Sequence, residues 1–97
     1  MIRSIVFTSA LALGAFAAQA DPAQIYADQC AVCHGDDRLG GTGPALIPQT
    51  LKRMRGPNLE KVIAHGRAAT QMPAFSDLLE ASDITALADY LNTPLDQ

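Results

Sequence analysis

Two cysteines and a histidine stand together at Cys30-Ala31-Val32-Cys33-His34, and the chain holds no other cysteine. Thiols three positions apart can add to the two vinyl groups of one porphyrin, and the adjoining imidazole can then ligate the iron of the same ring. The pentapeptide therefore reads as a covalent haem attachment site, with Cys30 and Cys33 as the thioether anchors and His34 as an axial ligand. Two other chemistries use a similar pair. A thioredoxin-like redox couple expects a strand ahead of the motif, whereas a helical pattern enters this one. A zinc site needs a fourth donor, and His65 is the one remaining imidazole.

The other axial ligand must come from Met54, Met72 or His65, because Met1 belongs to a segment read below as a leader. Met54 sits in Lys52-Arg53-Met54-Arg55, and that charged setting predicts a partly buried helix methionine rather than a residue lining an apolar pocket. His65 closes a helical segment before Gly66, where an imidazole at the surface interacts favourably with the helix dipole. Met72 is followed by Pro73, which fixes the chain beside the thioether and biases residue 72 towards extended backbone. Methionine is usually adaptable core filler. In a chain that holds haem, the loop position favours Met72 as the partner of His34, a pairing that recurs in haem proteins. Pro44 lies ten residues after His34. Its carbonyl is a candidate acceptor for the second ring nitrogen of a ligand imidazole. Gly43-Pro44 equally suits a plain turn, and the residues alone do not choose.

Helices and loops must position these groups. Asp21-Pro22-Ala23-Gln24 predicts a helix start, with Asp21 as N-cap, Pro22 at the first helical position and Gln24 three residues after the cap. Tyr26 and Cys30 would share one face of that helix at i, i+4 spacing. From Gly35 to Pro48 the glycine and proline content predicts loop. The Gly40-Gly41-Thr42-Gly43-Pro44 stretch lacks the Lys-Ser/Thr ending and preceding strand of a phosphate-binding loop. A middle helix is expected over about residues 58–65, with Leu59, Val62 and Ile63 on its apolar face and Gly66 as its stop. Residues 71–77 predict a loop around Met72-Pro73. A last helix is expected from Ser82 as N-cap, with Ile84, Leu87, Ala88 and Leu91 at i, i+3, i+4, i+7, ended by Asn92 and Pro94. No run alternates as a strand would, so the fold class is all-α.

The first 20 residues read as a cleaved signal peptide. Arg3 precedes an apolar run from Ile5 to Ala18, and Ala18-Gln19-Ala20 supplies the small-x-small cleavage pattern. The apolar run is shorter than the roughly 20 residues of a spanning helix, which disfavours a retained membrane anchor. Residues 21–97 then form a single domain, near the size of about 80 residues below which a core usually needs a staple. With two cysteines only three positions apart, a large buried cofactor is the natural one. Charge is segregated along this domain. Residues 52–67 carry Lys52, Arg53, Arg55, Lys61 and Arg67 against Glu60 alone, a net of +4, whereas the rest of the domain sets Arg38 against nine acids, a net of −8. An acidic protein is a poor nucleic-acid binder, but a dipolar one can orient on a protein partner.

Taken together, the helix entering Cys30-Ala31-Val32-Cys33-His34, the Gly43-Pro44 with Leu46 soon after, the Met72-Pro73 loop, and Leu87, Tyr90 and Leu91 of the last helix resemble class I cytochrome c, over residues 21–93. The resemblance implies terminal helices that pack on each other, haem in a crevice with one edge exposed, the carbonyl of Pro44 accepting from His34, and Met72 on the iron. Pro22 departs from the pattern, since many such chains have glycine four before the position of Tyr26. Residues 33–44 and 66–75 are further similar to the small monohaem cytochromes of the NirC type, encoded with cytochrome cd nitrite reductase in the denitrification cluster. They are also similar to the cytochrome domain of a related haem-assembly protein.

Several expectations follow. One haem c with both axial positions filled has no open site for a substrate, so an electron carrier is expected rather than an enzyme such as a peroxidase. The resemblance makes the nitrite reductase the expected acceptor, with an unidentified upstream donor; the alternative is electron supply to the maturation of that reductase's d-type haem. The carrier is expected in the periplasm as a monomer, without nucleic acid or membrane as partner.

Overall fold

A computed structural model describes residues 21–95 of the chain; the leader expected at residues 1–20 lies outside them. Four helices follow in order, α1 Pro22–Gln29, α2 Ala31–His34, α3 Pro57–His65 and α4 Ala81–Leu91, and no strand occurs among the described residues.

Helix α1 starts where expected but is capped differently. Pro22 takes the first helical position, and the extended Asp21 offers only its carbonyl, to the amides of Gln24 (2.9 Å) and Ile25 (3.0 Å). The expected return contact from Gln24 is absent. Its amide instead reaches one turn forward to Asp28, at 3.0 Å, the i, i+4 neighbour on the same face. At Cys30 the helix pauses, and α2 resumes at Ala31 as a single turn ended by Gly35, whose φ of +89° suits glycine.

Helix α3 begins at Pro57, one residue before the expected start, and stops at Gly66 with φ +73°. A side chain at Gly66 would meet the carbonyl oxygen of Met72 at 2.7 Å, because the chain doubles back there. The returning strand of loop is pinned along α3 by Phe75 N–H to the Ile63 carbonyl (3.1 Å) and Ser76 N–H to that of Ala64 (3.1 Å). Helix α4 corrects the expected N-cap. Glu80 takes that place, its amide donating to Asp83 at 3.1 Å, so Ser82 lies inside the first turn and exposed. Asp83 three residues after Glu80 supplies the carboxylate that satisfies the cap amide, which Ser82 cannot do from its own position.

Helix α4 packs on both α1 and α3. Tyr26 and Tyr90 meet between α1 and α4 with ring centroids 6.0 Å apart and planes tilted by 53°, so the contact forms with Pro22 in place of glycine. Around this junction lie Ile25, Leu51, Leu59, Ile63, Phe75, Ile84, Leu87, Ala88 and Leu91, all buried. The architecture is all-α among the described residues, with the first and last helices packed on each other as expected.

Candidate haem-binding site

The short helix α2 explains the spacing of the attachment motif. Cys33 and His34 both donate their amides to the carbonyl of Cys30, at 3.2 and 3.0 Å. The three reactive side chains therefore stand at i, i+3 and i+4 of one helical turn and share a face. That face looks into a cavity of about 600 Å³ lined by Cys30, Cys33 and His34. The volume falls in the range of roughly 300–1,000 Å³ typical of cofactor sites. Its other walls are Leu46 and Leu51 from the loop before α3, Leu59 and Ile63 from α3, Phe75 after it, and Leu87 and Leu91 from α4. Six of these seven are also core residues, so the cavity reaches into the centre of the fold, while exposed residues such as Arg67 and Gln71 line its mouth.

Two contacts orient the motif. The Nδ1 of His34 lies 2.7 Å from the carbonyl oxygen of Pro44. A carbonyl can only accept, so Nδ1 carries the proton and Nε2 keeps a free lone pair, the state in which an imidazole ligates iron. The loop delivering Pro44 is tied back to the motif by Gly40 N–H to the carbonyl of His34 (2.8 Å) and Gly43 N–H to that of Cys33 (2.7 Å). Behind the motif, the Tyr26 hydroxyl donates to the carbonyl of Gly35 at 2.7 Å. Burial pushes the phenol up to about 12, with the thiol of Cys30 adding to the effect and Arg38 opposing it, so Tyr26 remains a neutral donor.

The half-buried Cys30 thiol argues against its serving as the attacking member of a redox couple. Burial, and then the neighbouring Cys33, pushes the Cys30 thiol up to about 11. Cysteines that exchange disulfides have lowered values, because the thiolate is the reacting species. Among the described residues no group of three or more histidines, cysteines or acids is arranged to hold a metal ion directly, which also disfavours the zinc reading.

Met72 lines the cavity from the loop after α3, and that loop is closed by Arg67 N–H to the Met72 carbonyl (3.3 Å) and Met72 N–H to the Thr70 hydroxyl (3.2 Å). Met54 departs from its expected place. It too lines the cavity, half-buried, in a turn rather than a helix. Hydrogen bonds from Leu51 N–H to the Ile47 carbonyl (3.1 Å) and Met54 N–H to that of Leu51 (2.9 Å) bend the chain so that Met54 faces inward while Lys52, Arg53 and Arg55 are exposed. His65 is exposed and lies instead along a smaller groove between α3 and α4, with Glu60, Lys61 and Ile84.

Sequence reasoning missed Arg38, which it counted only as a charge. Arg38 is 4% exposed and fastens the loop of Pro44 to the end of α4. No carboxylate partner marks it in the sequence, because its hydrogen-bond acceptors are backbone carbonyls, two of them more than fifty residues away.

The donor set and the cavity suit haem. Two thiols and an imidazole with a free Nε2 occupy one turn, thioether sulfurs enter from two other segments, and the remaining walls are mostly apolar, with polar side chains such as Thr50, Arg67 and Gln71 among them. Comparison with known proteins agrees. The family described as cytochrome C oxidase, cbb3-type, subunit III matches residues 17–91. A dihydro-heme d1 dehydrogenase of Pseudomonas aeruginosa is 41% identical over 92 residues, covering 93% of this chain and 19% of that protein. Cytochrome c55X of Stutzerimonas stutzeri is 40% identical over 62 residues, covering 64% of this chain and 55% of its own length. The chain thus spans about a fifth of one of these curated relatives and just over half of the other. Among solved structures, the c-type cytochrome NirC superposes with a TM-score of 0.68 at 36% identity, over 72% of this chain and 82% of that one. The geometry of the turn, the haem-sized apolar cavity and these likenesses together place the chain in the cytochrome c family, with covalently bound haem c as its cofactor.

Proposed function

We propose that this chain is a periplasmic single-electron carrier of denitrification, exported by a cleaved leader at residues 1–20 and folded as one monohaem domain over residues 21–97. Haem, when bound, supplies a one-electron couple between ferric and ferrous iron. The residues around it do the rest. Cys30 and Cys33 would anchor the porphyrin by thioethers, His34 would offer Nε2 to the iron while Pro44 holds its Nδ1 proton, and Met72 would offer its thioether from the other loop. With an imidazole and a thioether both reserved for the iron, no position would be left for a substrate, which favours a carrier over an enzyme.

The observation that carries this reading is the 2.7 Å contact between His34 and Pro44 within a cavity that Met72 also lines. It describes a site built to hold one imidazole in one tautomer. The likeness to NirC and cytochrome c55X favours cytochrome cd nitrite reductase as the acceptor. The alternative reading has a specific support of its own, the 41% identity to a dihydro-heme d1 dehydrogenase across nearly the whole chain. On that reading the electrons serve maturation of the d-type haem. In both, the protein works with an upstream donor and an acceptor protein, as a monomer in the periplasm. Among the described residues no helix is long and apolar enough to cross a membrane.

One experiment tests the proposal. The reduced holoprotein is mixed rapidly with nitrite reductase and nitrite while haem oxidation is followed optically, and the oxidised holoprotein is mixed separately with a dihydro-heme d1 dehydrogenase and its substrate while haem reduction is followed. Oxidation at catalytic rates in the first mixture is the expected result. Exchange only in the second moves the protein to maturation. Rapid stoichiometric carbon monoxide binding by the reduced protein, with no exchange in either mixture, would refute the carrier.

A further inference from the structure

Arg38 is a buried cation in an unusual setting. It is 4% exposed and has φ +67°, a left-handed backbone that non-glycine residues adopt under strain. Its guanidinium makes three hydrogen bonds, from Nε to the carbonyl of Leu46 (3.0 Å) and from Nη2 to those of Leu91 (2.8 Å) and Thr93 (2.9 Å). The ring of Tyr90 lies 4.9 Å from the guanidinium carbon. Every one of these partners is a carbonyl or a ring face, and none is a carboxylate.

Three carbonyls reached from two nitrogens suit the rigid fork of a guanidinium. The fork brings with it a buried unit charge that no carboxylate offsets, and the surroundings give that charge a consequence. Leu46 and Leu91, whose carbonyls it binds, both line the cavity. Its amide donates to the carbonyl of Gly35 at 3.1 Å, next to His34. The guanidinium thus stands directly behind the cavity wall. Water scarcely reaches it, and its field crosses protein rather than salt solution. Carbonyl dipoles at the end of α4 solvate the cation without cancelling its unit charge.

We propose that Arg38 sets the reduction potential of the bound haem, its carbonyl-solvated positive charge favouring the state that has accepted one electron from the donor protein. The inference rests on the reading of the chain as a haem-binding electron carrier. It assigns Arg38 a role through the field rather than through contact. Arginine suits that role because it does not lose its proton at any working pH.

The test is an equilibrium redox titration of the purified holoprotein against a mediator dye, alongside thermal melts. In Arg38→Gln the equilibrium constant for reduction should fall on the order of tenfold, the scale of effect that one unscreened charge has across a protein interior. Arg38→Lys keeps the charge but cannot span three carbonyls, so it should melt lower than the parent while its reduction constant stays within about twofold. Equal shifts in both variants, or none in Arg38→Gln, would overturn the proposal, since the effect would then follow geometry or not exist. Should Arg38→Gln fail to assemble with haem, Arg38→Lys decides alone. A tenfold change with the charge retained overturns the proposal, and an unchanged constant with a lowered melt upholds it. A parent protein lacking a reversible one-electron couple would instead sink the carrier reading itself, before any variant was made.

Discussion

Replacing Gly43 by alanine probes the packing of the proposed iron ligand with a single methyl group. The backbone at Gly43 is not in the left-handed region, so alanine meets no conformational penalty there. The cost lies in space. A Cβ at this position would stand 2.9 Å from Cε1 and 3.0 Å from Nδ1 of His34, and 3.3 Å from the Cys33 carbonyl oxygen. Carbon atoms pack at about 3.5 Å or more, so the ring or the loop must retreat by roughly half an ångström. The loop is poorly placed to move, because Gly43 N–H is held on the Cys33 carbonyl at 2.7 Å and Gly41 N–H on the Gly43 carbonyl at 2.9 Å. The ring must therefore give. A shift of that size takes the 2.7 Å contact with Pro44 to the edge of hydrogen-bonding range. Weakening a solvent-facing hydrogen bond of this kind costs about 1 kcal/mol. For a domain of 60–100 residues that lowers Tm by roughly 4–8 °C. A weaker bond at Nδ1 also makes the imidazole a poorer donor to ferric iron, so the reduction potential should rise. Thermal melts and redox titration of the oxidised holoprotein measure both, with Leu39→Ala, an exposed side chain of the same loop, as control. A Tm within about 2 °C of the parent, or a potential that falls, would refute the reasoning.

Met72→Ala should abolish the weak sulfur-to-iron band at the red end of the oxidised spectrum and lower the potential, since a thioether favours ferrous iron. Met54→Ala is the stringent companion because Met54 also lines the cavity, and loss of the band in that variant would transfer the ligand role to it. Leu87 is fully buried and forms part of the cavity wall, so Leu87→Ala should cost about 2–5 kcal/mol in a denaturant melt. A parent-like midpoint would show that the wall is not part of the core. Arg53→Glu combined with Arg55→Glu should slow electron transfer to an acidic partner and flatten its dependence on salt, because steering by exposed charge is screened within a Debye length. A rate indifferent to both salt and charge reversal would leave an apolar contact as the better account.

What the sequence made legible is what short-range rules govern. The attachment turn, Pro22 at the head of α1, Gly66 at the end of α3 and the apolar stripe of α4 all follow from residues within one or two turns of each other. Two positions escaped those rules for the same reason. Met54 was placed by its charged neighbours, yet a turn of two backbone hydrogen bonds rotates it inward and leaves the cations outside. Arg38 was placed by its own charge, yet carbonyls from the far end of the chain draw it into the interior. Charge in a sequence argues for the surface only while no backbone acceptor competes with water, and such acceptors leave no trace in side-chain patterns.

The placement of Met54 also alters the meaning of the basic segment. Lys52, Arg53 and Arg55 are exposed on the turn whose inward residue lines the cavity, and the exposed Arg67 lines it from the loop of Met72. The positive stretch is therefore continuous with the cavity wall at two points, whereas Asp28 and Asp89 are exposed on α1 and α4. The same residues then serve two ends, since Leu51 and Leu59 flank the cations in sequence and are buried in the core that also lines the cavity. A substitution on this segment should accordingly separate by side-chain direction. Outward changes alter association rates and leave the melt alone, and inward changes alter the melt and the spectrum.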